Sequence, residues 1–264
     1  MRLITGTVFV AVIVAGILWN QYSYFLVFLT AVLLGMLEFS GIAKSGKMNV
    51  DRTLALLIGL FWYVCTFLIL AGKISANWLS LVIPLSLLVF AVELYRKSDT
   101  PLQNIASTLV VPLYIALPFS GLHYLVFYTG EYVSSLLIGF FVLVWSNDTG
   151  AYLVGVTLGK HRLFPRISPK KSWEGFVGGV IFTQVAAYII TLTGAAPGLV
   201  HWMAIALIVS VVGTYGDLVE SMIKRSFDLK DSGNIFPGHG GILDRFDAVL
   251  FAAPLIYVYL MLLV

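Results

Sequence analysis

The sequence predicts an all-α, polytopic integral membrane protein, a bundle of about nine transmembrane helices with a cytoplasmic N-terminus. Of its 264 residues, 59% are hydrophobic and 11% are charged, whereas a soluble domain carries roughly a quarter charged residues. The hydrophobic residues form blocks of about 17 to 25 residues, the length that crosses a hydrocarbon core of roughly 30 Å. Basic residues collect in the connections between these blocks, which is typical of membrane proteins with a defined orientation.

Nine apolar blocks predict the spans in chain order. They cover residues 3–19, 22–43, 53–72, 77–95, 104–121, 132–158, 174–194, 199–220 and 247–264. The first block follows Arg2 and lacks a small-x-small cleavage site, so we interpret it as a span and not as a cleaved signal. The sixth contains Asn147-Asp148 and is either one tilted helix or a helix broken at its polar centre. Glu38 and Glu93 lie near span ends.

A single membrane-embedded domain is expected over residues 1–264. The N-terminal helices would occupy residues 1–100, and the helices that carry the chemistry would occupy residues 101–264, with polar motifs at 160–175 and 217–247. Cys65 is the one cysteine of the chain and lies in an apolar run. Neither a disulfide framework nor a thiolate metal cluster is therefore expected.

The basic residues predict the orientation. Fifteen of the sixteen Lys and Arg residues lie at Arg2 and in the segments 44–52, 96–104, 159–173 and 221–246. Because basic residues near span ends stay in the cytoplasm, we expect these segments to be cytoplasmic. Lys73 alone falls on the other side. The cytoplasmic face should therefore attract anionic lipids and polyphosphates.

Two pairs of carboxylates lie at predicted helix ends. Asp217 and Glu220 are three residues apart at the end of the eighth span, and Asp244 and Asp247 are three apart at the start of the ninth. Residues at this spacing share one face of a helix. If the two ends meet, the carboxylates converge and repel one another unless a hard cation such as Mg²⁺ lies among them. Asp148, inside an apolar block where a carboxylate is costly, could join them.

Basic residues surround these carboxylates. Lys224, Arg225, Lys230 and Arg245 could neutralise the oxygens of a metal-bound polyphosphate. The positive-inside pattern alone would also supply some of them. The structural alternatives for Asp244 are a helix cap or an ion pair with Arg245 or Lys224.

A glycine-rich turn, Pro237-Gly238-His239-Gly240-Gly241, precedes the ninth span. Glycine tolerates positive φ and lets backbone N–H groups approach a ligand closely, which suits a polyphosphate site ahead of a helix. An ordinary connecting turn is the alternative. His239 would either orient a phosphate or transfer a proton, or it would only hydrogen-bond the turn.

A second polar segment, Phe164 to Gly175, places Lys170-Lys171 between a Ser168-Pro169 turn and Trp173. We interpret it either as a clamp on lipid or nucleotide phosphates or as a topological anchor with an interfacial aromatic residue. Ser172 is expected to cap the seventh span, with Glu174 in its first turn.

These motifs resemble a known family. The pattern Ser221-x-x-Lys224-Arg225, Lys230-Asp231-x-Gly233 and Pro237-Gly238-His239-Gly240-Gly241-x-x-Asp244-Arg245-x-Asp247 resembles the signature of the phosphatidate cytidylyltransferases, also called CDP-diacylglycerol synthases. The segment Ser168 to Gly175 looks like the second characteristic segment of that family. The multi-span layout extends the similarity over essentially the whole chain.

The resemblance implies a Mg²⁺-dependent transfer of CMP from CTP to phosphatidic acid, which releases pyrophosphate and yields CDP-diacylglycerol. A second cation would fit among the carboxylates. The implied catalytic residues are Asp217, Lys224, Arg225, His239, Asp244, Arg245 and Asp247. The implied substrate-binding residues are Ser168, Lys170, Lys171, Ser221, Lys230, Asp231, Gly238, Gly240 and Gly241. The implied metal ligands are Asp217, Asp244, Asp247 and Asp148.

The expected partners are CTP, phosphatidic acid and membrane lipids, without nucleic acid. We expect a multi-pass protein of a bacterial inner membrane with its site facing the cytoplasm, and a homodimer would suit such a bundle. The nearest alternative is a CTP-dependent polyisoprenol or phytol kinase. A different class is a membrane transporter, in which Asp148, Asp217 and Asp247 would line an ion path. A CDP-alcohol phosphotransferase is disfavoured because its aspartate-rich pattern is absent.

Overall fold

The computed structural model describes residues 2–46, 48–233, 235 and 240–263, with side chains from Thr5 onward at the N-terminus. Within these residues the chain forms ten α-helices: α1 (Arg2–Trp19), α2 (Gln21–Ser45), α3 (Arg52–Leu70), α4 (Val82–Arg96), α5 (Pro101–Tyr114), α6 (Ala116–Phe127), α7 (Ser135–Leu158), α8 (Trp173–Leu192), α9 (Leu199–Ser226) and α10 (Leu243–Leu263). A 3-10 turn, Ala76–Leu81, leads into α4. Two antiparallel strands, β1 (Arg162–Phe164) and β2 (Ser168–Ser172), form a hairpin between α7 and α8. The predicted all-α class is confirmed.

Eight helical units within the described residues are long and apolar enough to cross a membrane. The turn before α4 belongs to one of these units, Ala76–Arg96, and α5 and α6 together form another, Pro101–Phe127. A shorter apolar helix, Thr5–Trp19, occupies the position of the first predicted span. The predicted polytopic layout of about nine spans is thus confirmed.

The fifth predicted span differs from the structure in length and continuity. It continues to Phe127 and is interrupted at Ile115, between α5 and α6. Pro118, in the first turn of α6, has no N–H to donate to the carbonyl of Tyr114, so the helical hydrogen-bond pattern breaks there. The sixth span, by contrast, is one unbroken helix through Asn147-Asp148.

The helices that carry the acidic pairs are longer than predicted. The predicted eighth span ends at residue 220, but α9 continues to Ser226, and α10 begins at Leu243 instead of residue 247. The predicted spans stop where apolar residues give way to the polar segments. The helix continues because Glu220 and Lys224 form an i,i+4 ion pair of 2.7 Å, a spacing that supports helical structure.

A buried aromatic cluster packs against one face of α10. The Phe246 ring lies 5.0 Å from the Phe119 ring and 6.1 Å from the Phe28 ring, measured between centroids. Successive helical residues are about 100° apart, so Asp244 and Asp247 lie roughly 60° from each other and project away from the direction of Phe246. Packing of Phe246 therefore turns both aspartates out of the aromatic core.

Glycines allow close helix packing beside the acidic residues. A Cβ atom on Gly216 of α9 would lie 3.2 Å from the carbonyl carbon of Asp247 and closer still to its oxygen. The backbones of α9 and α10 are thus in direct contact, which brings Asp217 next to Asp247. In the α7–α8 pair, a Cβ atom on Gly178 would lie 3.0 Å from the carbonyl oxygen of Gly150. The backbones of α7 and α8 are therefore also in close contact, two residues after Asp148.

Candidate active site

A cavity of about 740 Å³ lies between α1, α7, α8, α9, α10 and the β1–β2 hairpin. Two of the predicted cytoplasmic segments, 159–173 and 221–246, contribute to its wall. Its charged lining residues within the described chain are Asp148, Arg162, Lys170, Lys171, Asp217, Asp244, Arg245 and Asp247. Apolar side chains of α1 and α7, among them Val10, Phe141 and Val144, complete the lining. The cavity is therefore amphipathic.

Three carboxylates converge on one point of this region. Asp217, Glu220 and Asp247 each contribute one carboxylate oxygen, and these three oxygens lie within 4.8 Å of one another. Glu220 is 3% exposed, and its Oε1 atom is buried without a hydrogen-bond partner among the described residues. Carboxylates at this distance repel one another, and burial strengthens the repulsion. The cluster therefore fits a hard cation bound by oxygen ligands.

Lys224 connects this cluster to Asp244. Its Nζ atom lies 2.7 Å from Glu220 Oε2 and also contacts Asp244 Oδ1. Lys224 is 8% exposed, so both ion pairs are shielded from solvent. The lysine compensates part of the negative charge, and its removal would deprive the buried Glu220 and the largely buried Asp244 of their counter-charge.

Lys171 supplies a second cation from the hairpin. Its Nζ atom pairs with Asp217 Oδ2 across the cavity. Asp217 Oδ1 also accepts a hydrogen bond of 3.3 Å from Ser221 Oγ. The predicted basic segment and the predicted acidic helix end thus meet.

Hydrogen bonds connect the hairpin that carries Lys171 to the first turn of α8. Ser172 Oγ accepts the N–H of Gly175 at 3.1 Å, which confirms the predicted cap. Glu174 accepts the N–H groups of Lys160 and His161 at 3.1 and 3.2 Å, and its Oε1 lies 2.6 Å from His161 Nδ1. These contacts connect the end of α7 to the first turn of α8.

Asp244 lines the cavity but lies outside the group of three converging carboxylates. Its Oδ2 atom accepts the N–H groups of Gly241 at 2.8 Å and of Ser232 at 2.9 Å, while Oδ1 pairs with Lys224. Both oxygens are thus engaged within the protein. Of the roles considered from the sequence, the structure shows the ion pair with Lys224, and the metal-ligand role stays a prediction.

Three residues of this region were not in the predicted site: Glu220, Glu38 and the cavity-lining Arg162. Glu220 was recognised as a neighbour of Asp217, and the i,i+3 spacing was the signal for it. The sequence predicts Glu38 only as a residue near a span end, yet its buried carboxylate accepts the N–H groups of Ile242 at 2.9 Å and Leu243 at 3.1 Å. A partner more than 200 positions away along the chain leaves no local sequence signal.

The other predicted site residues are distributed as follows. Ser168, Ser221, Arg225, Lys230, Asp231, Gly240 and Gly241 are not among the described residues that line the cavity. Arg225 is exposed and donates to the carbonyl of Leu229 at 3.2 Å. Gly240 has a φ of 78°, which agrees with the predicted glycine turn. His239 and Gly238 lie outside the described residues.

Comparison with known proteins decides the family. The model of the Cytidylyltransferase family matches residues 1–263. The chain belongs to this family. The match covers both polar motifs and all the described helices, so the predicted resemblance is confirmed over the whole length.

Curated relatives of the family are similar in sequence over most of the chain. The phosphatidate cytidylyltransferase of Bacillus subtilis (strain 168) is 41% identical, over 73% of this chain and 71% of the relative. Those of Staphylococcus haemolyticus and Staphylococcus saprophyticus are each 32% identical, over 89% and 98% of this chain and over 94% and 99% of the relatives. The chain is thus related to nucleotidyltransferases along nearly its full length.

Proposed function

We propose that the chain transfers CMP from CTP to phosphatidic acid and releases pyrophosphate, which makes CDP-diacylglycerol for phospholipid synthesis. The observation that carries this proposal is the cluster of Asp217, Glu220 and Asp247, flanked by Lys171 and Lys224, beside an amphipathic cavity. A lipid that carries a phosphate requires such a combination of polar and apolar surface. The relatives named phosphatidate cytidylyltransferase support the same reaction.

Asp217, Glu220 and Asp247 would hold Mg²⁺. Bound there, the cation would neutralise the triphosphate and stabilise the charge that develops on the departing pyrophosphate. Glu220 Oε1 supports this assignment, because it is buried, has no hydrogen-bond partner among the described residues, and such an oxygen is costly unless it finds a partner. Asp148 and Asp244 line the same cavity. Their ligation of Mg²⁺, or of a second cation, stays a prediction.

The basic residues would position the phosphates. Lys170, Lys171, Arg162 and Arg245 line the cavity and can neutralise phosphate oxygens of CTP and of the lipid. A phosphate monoester is already an anionic nucleophile, so in-line attack on the α-phosphorus needs little help from a general base. Positioning and charge neutralisation would therefore supply most of the rate enhancement.

Lys224 has a different role in this scheme. Its ammonium group is held between Glu220 and Asp244, so it would orient the carboxylates and would not contact the nucleotide. The catalytic role predicted for Lys224 becomes that of a positioning residue. Direct roles for Arg225, Lys230 and Asp231 stay predictions.

The proposed setting is the cytoplasmic side of a bacterial inner membrane. The cavity takes its basic residues from two of the segments predicted to be cytoplasmic, 159–173 and 221–246, and CTP is available in the cytoplasm. A homodimer also stays a prediction. The comparisons favour neither the lipid kinase nor the transporter.

Product analysis tests the proposal. Purified protein in detergent is given CTP, phosphatidic acid and Mg²⁺, and CDP-diacylglycerol and pyrophosphate are measured. We expect wild-type protein to form both in equal amounts, chelator to abolish both, and Asp247→Asn to lower the rate at least about 100-fold. Asp99→Asn, an exposed aspartate in the α4–α5 connection, is the matched control and should retain the wild-type rate.

Two other results would contradict the proposal. A phosphorylated lipid formed together with CDP, without pyrophosphate, would indicate the kinase. Ion flux in liposomes without any CTP turnover would indicate the transporter.

A further inference from the structure

Glu38 is a buried carboxylate of α2 that lies against the N-terminus of α10. Its Oε1 accepts the N–H of Ile242 at 2.9 Å and its Oε2 accepts the N–H of Leu243 at 3.1 Å. The residue is 9% exposed. In the described part of the chain, the ion pairs include none between Glu38 and a lysine or arginine. Among the described residues, its charge faces these backbone donors and the positive end of the α10 dipole.

The α9–α10 connection closes directly onto this carboxylate. A Cβ atom on Gly233 would lie 2.9 Å from Glu38 Cδ, and one on Gly241 would collide with both carboxylate oxygens. The chain thus leaves no room for side chains at these two positions. Because a buried charge is costly unless it is hydrogen-bonded, this contact constrains where α10 begins and how it is rotated.

A chain of contacts leads from Glu38 to the carboxylate cluster. Ser232 Oγ lies 3.1 Å from Glu38 Oε2 and 3.0 Å from Asp244 Oδ2, so its one proton can bond either carboxylate. Asp244 pairs with Lys224, and Lys224 pairs with Glu220. Glu38 itself lies outside the described lining of the cavity.

We propose that Glu38 is a positioning residue for the reaction, one that sets the depth and rotation of α10 so that Asp244 and Asp247 face the cavity. This inference rests on the proposed function. Asp247 is on the first turns of α10, only four residues after Leu243, so a movement of the helix start is transmitted to it directly. A displacement of about 1 Å in an active site can lower the rate about 100-fold.

Glu38→Gln tests the proposal, because the amide keeps the shape of the side chain but loses the charge and one acceptor. Glu93→Gln is the matched control. Glu93 is also a buried carboxylate, 6% exposed, and it is bonded to Asn104 at 2.6 Å and Arg96 at 3.3 Å, away from the cavity. The measurements are the Mg²⁺ concentration that gives half-maximal rate, kcat and KM for CTP, and the shift of the unfolding temperature on addition of Mg²⁺ without substrates.

We expect Glu38→Gln to raise the half-saturating Mg²⁺ concentration about tenfold, to lower kcat about 10- to 100-fold, and to reduce the Mg²⁺-dependent temperature shift. Glu93→Gln should lower the unfolding temperature but leave the Mg²⁺ response at the wild-type value. Glu38→Asp, which keeps the charge, should restore part of the response. If Glu38→Gln responds to Mg²⁺ as Glu93→Gln does, the proposal is wrong.

A second variant covers the case in which Glu38→Gln does not fold. Ser232→Ala keeps both backbone N–H bonds to Glu38 and removes only the hydroxyl, and it should raise the half-saturating Mg²⁺ concentration about threefold. An unchanged value would overturn the proposed link to Asp244.

Amide hydrogen exchange at residues 241–247 tests the positioning role of Glu38 separately from the proposed synthesis of CDP-diacylglycerol. Faster exchange in a folded Glu38 variant would support positioning even if wild-type protein made no CDP-diacylglycerol, whereas unchanged exchange would overturn it.

Discussion

Gly216→Ala should separate α9 from α10 and thereby disable the carboxylate cluster. The added Cβ would lie 3.2 Å from the Asp247 carbonyl carbon and closer to its oxygen, whereas optimal contact between carbon atoms needs about 3.5–4.0 Å. The obstructing atoms belong to the backbone and cannot rotate away. The two helices must therefore move apart by several tenths of an ångström.

The expected cost can be worked out from two opposing effects. Overpacking of a closely packed site costs about 1–3 kcal/mol. Alanine in place of glycine inside a helix contributes about 1 kcal/mol in the stabilising direction. We therefore expect a net loss of stability of up to about 2 kcal/mol. Because Asp217 and Asp247 are carried apart with their helices, kcat should fall about 10- to 100-fold.

The assay compares three glycine variants in one detergent. Unfolding temperature and CDP-diacylglycerol formation are measured for Gly216→Ala, Gly213→Ala and Gly41→Ala. A Cβ on Gly213 would lie 3.2 Å from the Ala248 side chain, which leaves a milder contact, and one on Gly41 would have no atom within 4 Å. Gly41→Ala should therefore be slightly stabilised and fully active. If Gly216→Ala matched Gly41→Ala in both measurements, the argument from backbone contact would be refuted.

Two further predictions concern the residues around the cluster. Lys224→Met should lower the free energy of unfolding by about 3–5 kcal/mol, because Glu220 and Asp244 lose their buried counter-charge. Thermal unfolding beside Arg225→Met, at an exposed position, checks this, and equal stability of the two variants would contradict it. Ser172→Ala should cost about 1 kcal/mol through loss of the α8 cap. A wild-type unfolding temperature for that variant would show that the cap is dispensable.

The spans and the chemistry-bearing segments could be predicted from sequence because the signals are local. Each span is a continuous apolar block, and the membrane selects such blocks by hydrophobicity alone. The acidic pairs were also readable, since Asp217 and Glu220, like Asp244 and Asp247, are one helical turn apart. The cap at Ser172 follows from the residue type that precedes an apolar run.

Helix ends were harder to predict, for a physical reason. Hydropathy ends the eighth span where the polar segment begins, but backbone hydrogen bonds continue wherever the charges find partners. Lys224 lies inside α9 because it pairs with Glu220 on the same helix and with Asp244 on the next one. The interruption at Ile115 does have a local signal, Pro118, which the continuous predicted span 104–121 does not reflect.

Sequence alone determined that this chain is a helical membrane protein with acidic and basic motifs at the ends of particular spans. Tertiary structure decided which of those residues meet: Lys171 with Asp217, Lys224 with Asp244, and Glu220 within the group of three carboxylates. Only the tertiary structure shows that Glu38 accepts backbone hydrogen bonds at the start of α10. Hydrophobicity and helical spacing act on neighbours in the chain, whereas these charge pairings depend on helix packing between residues that are far apart in sequence.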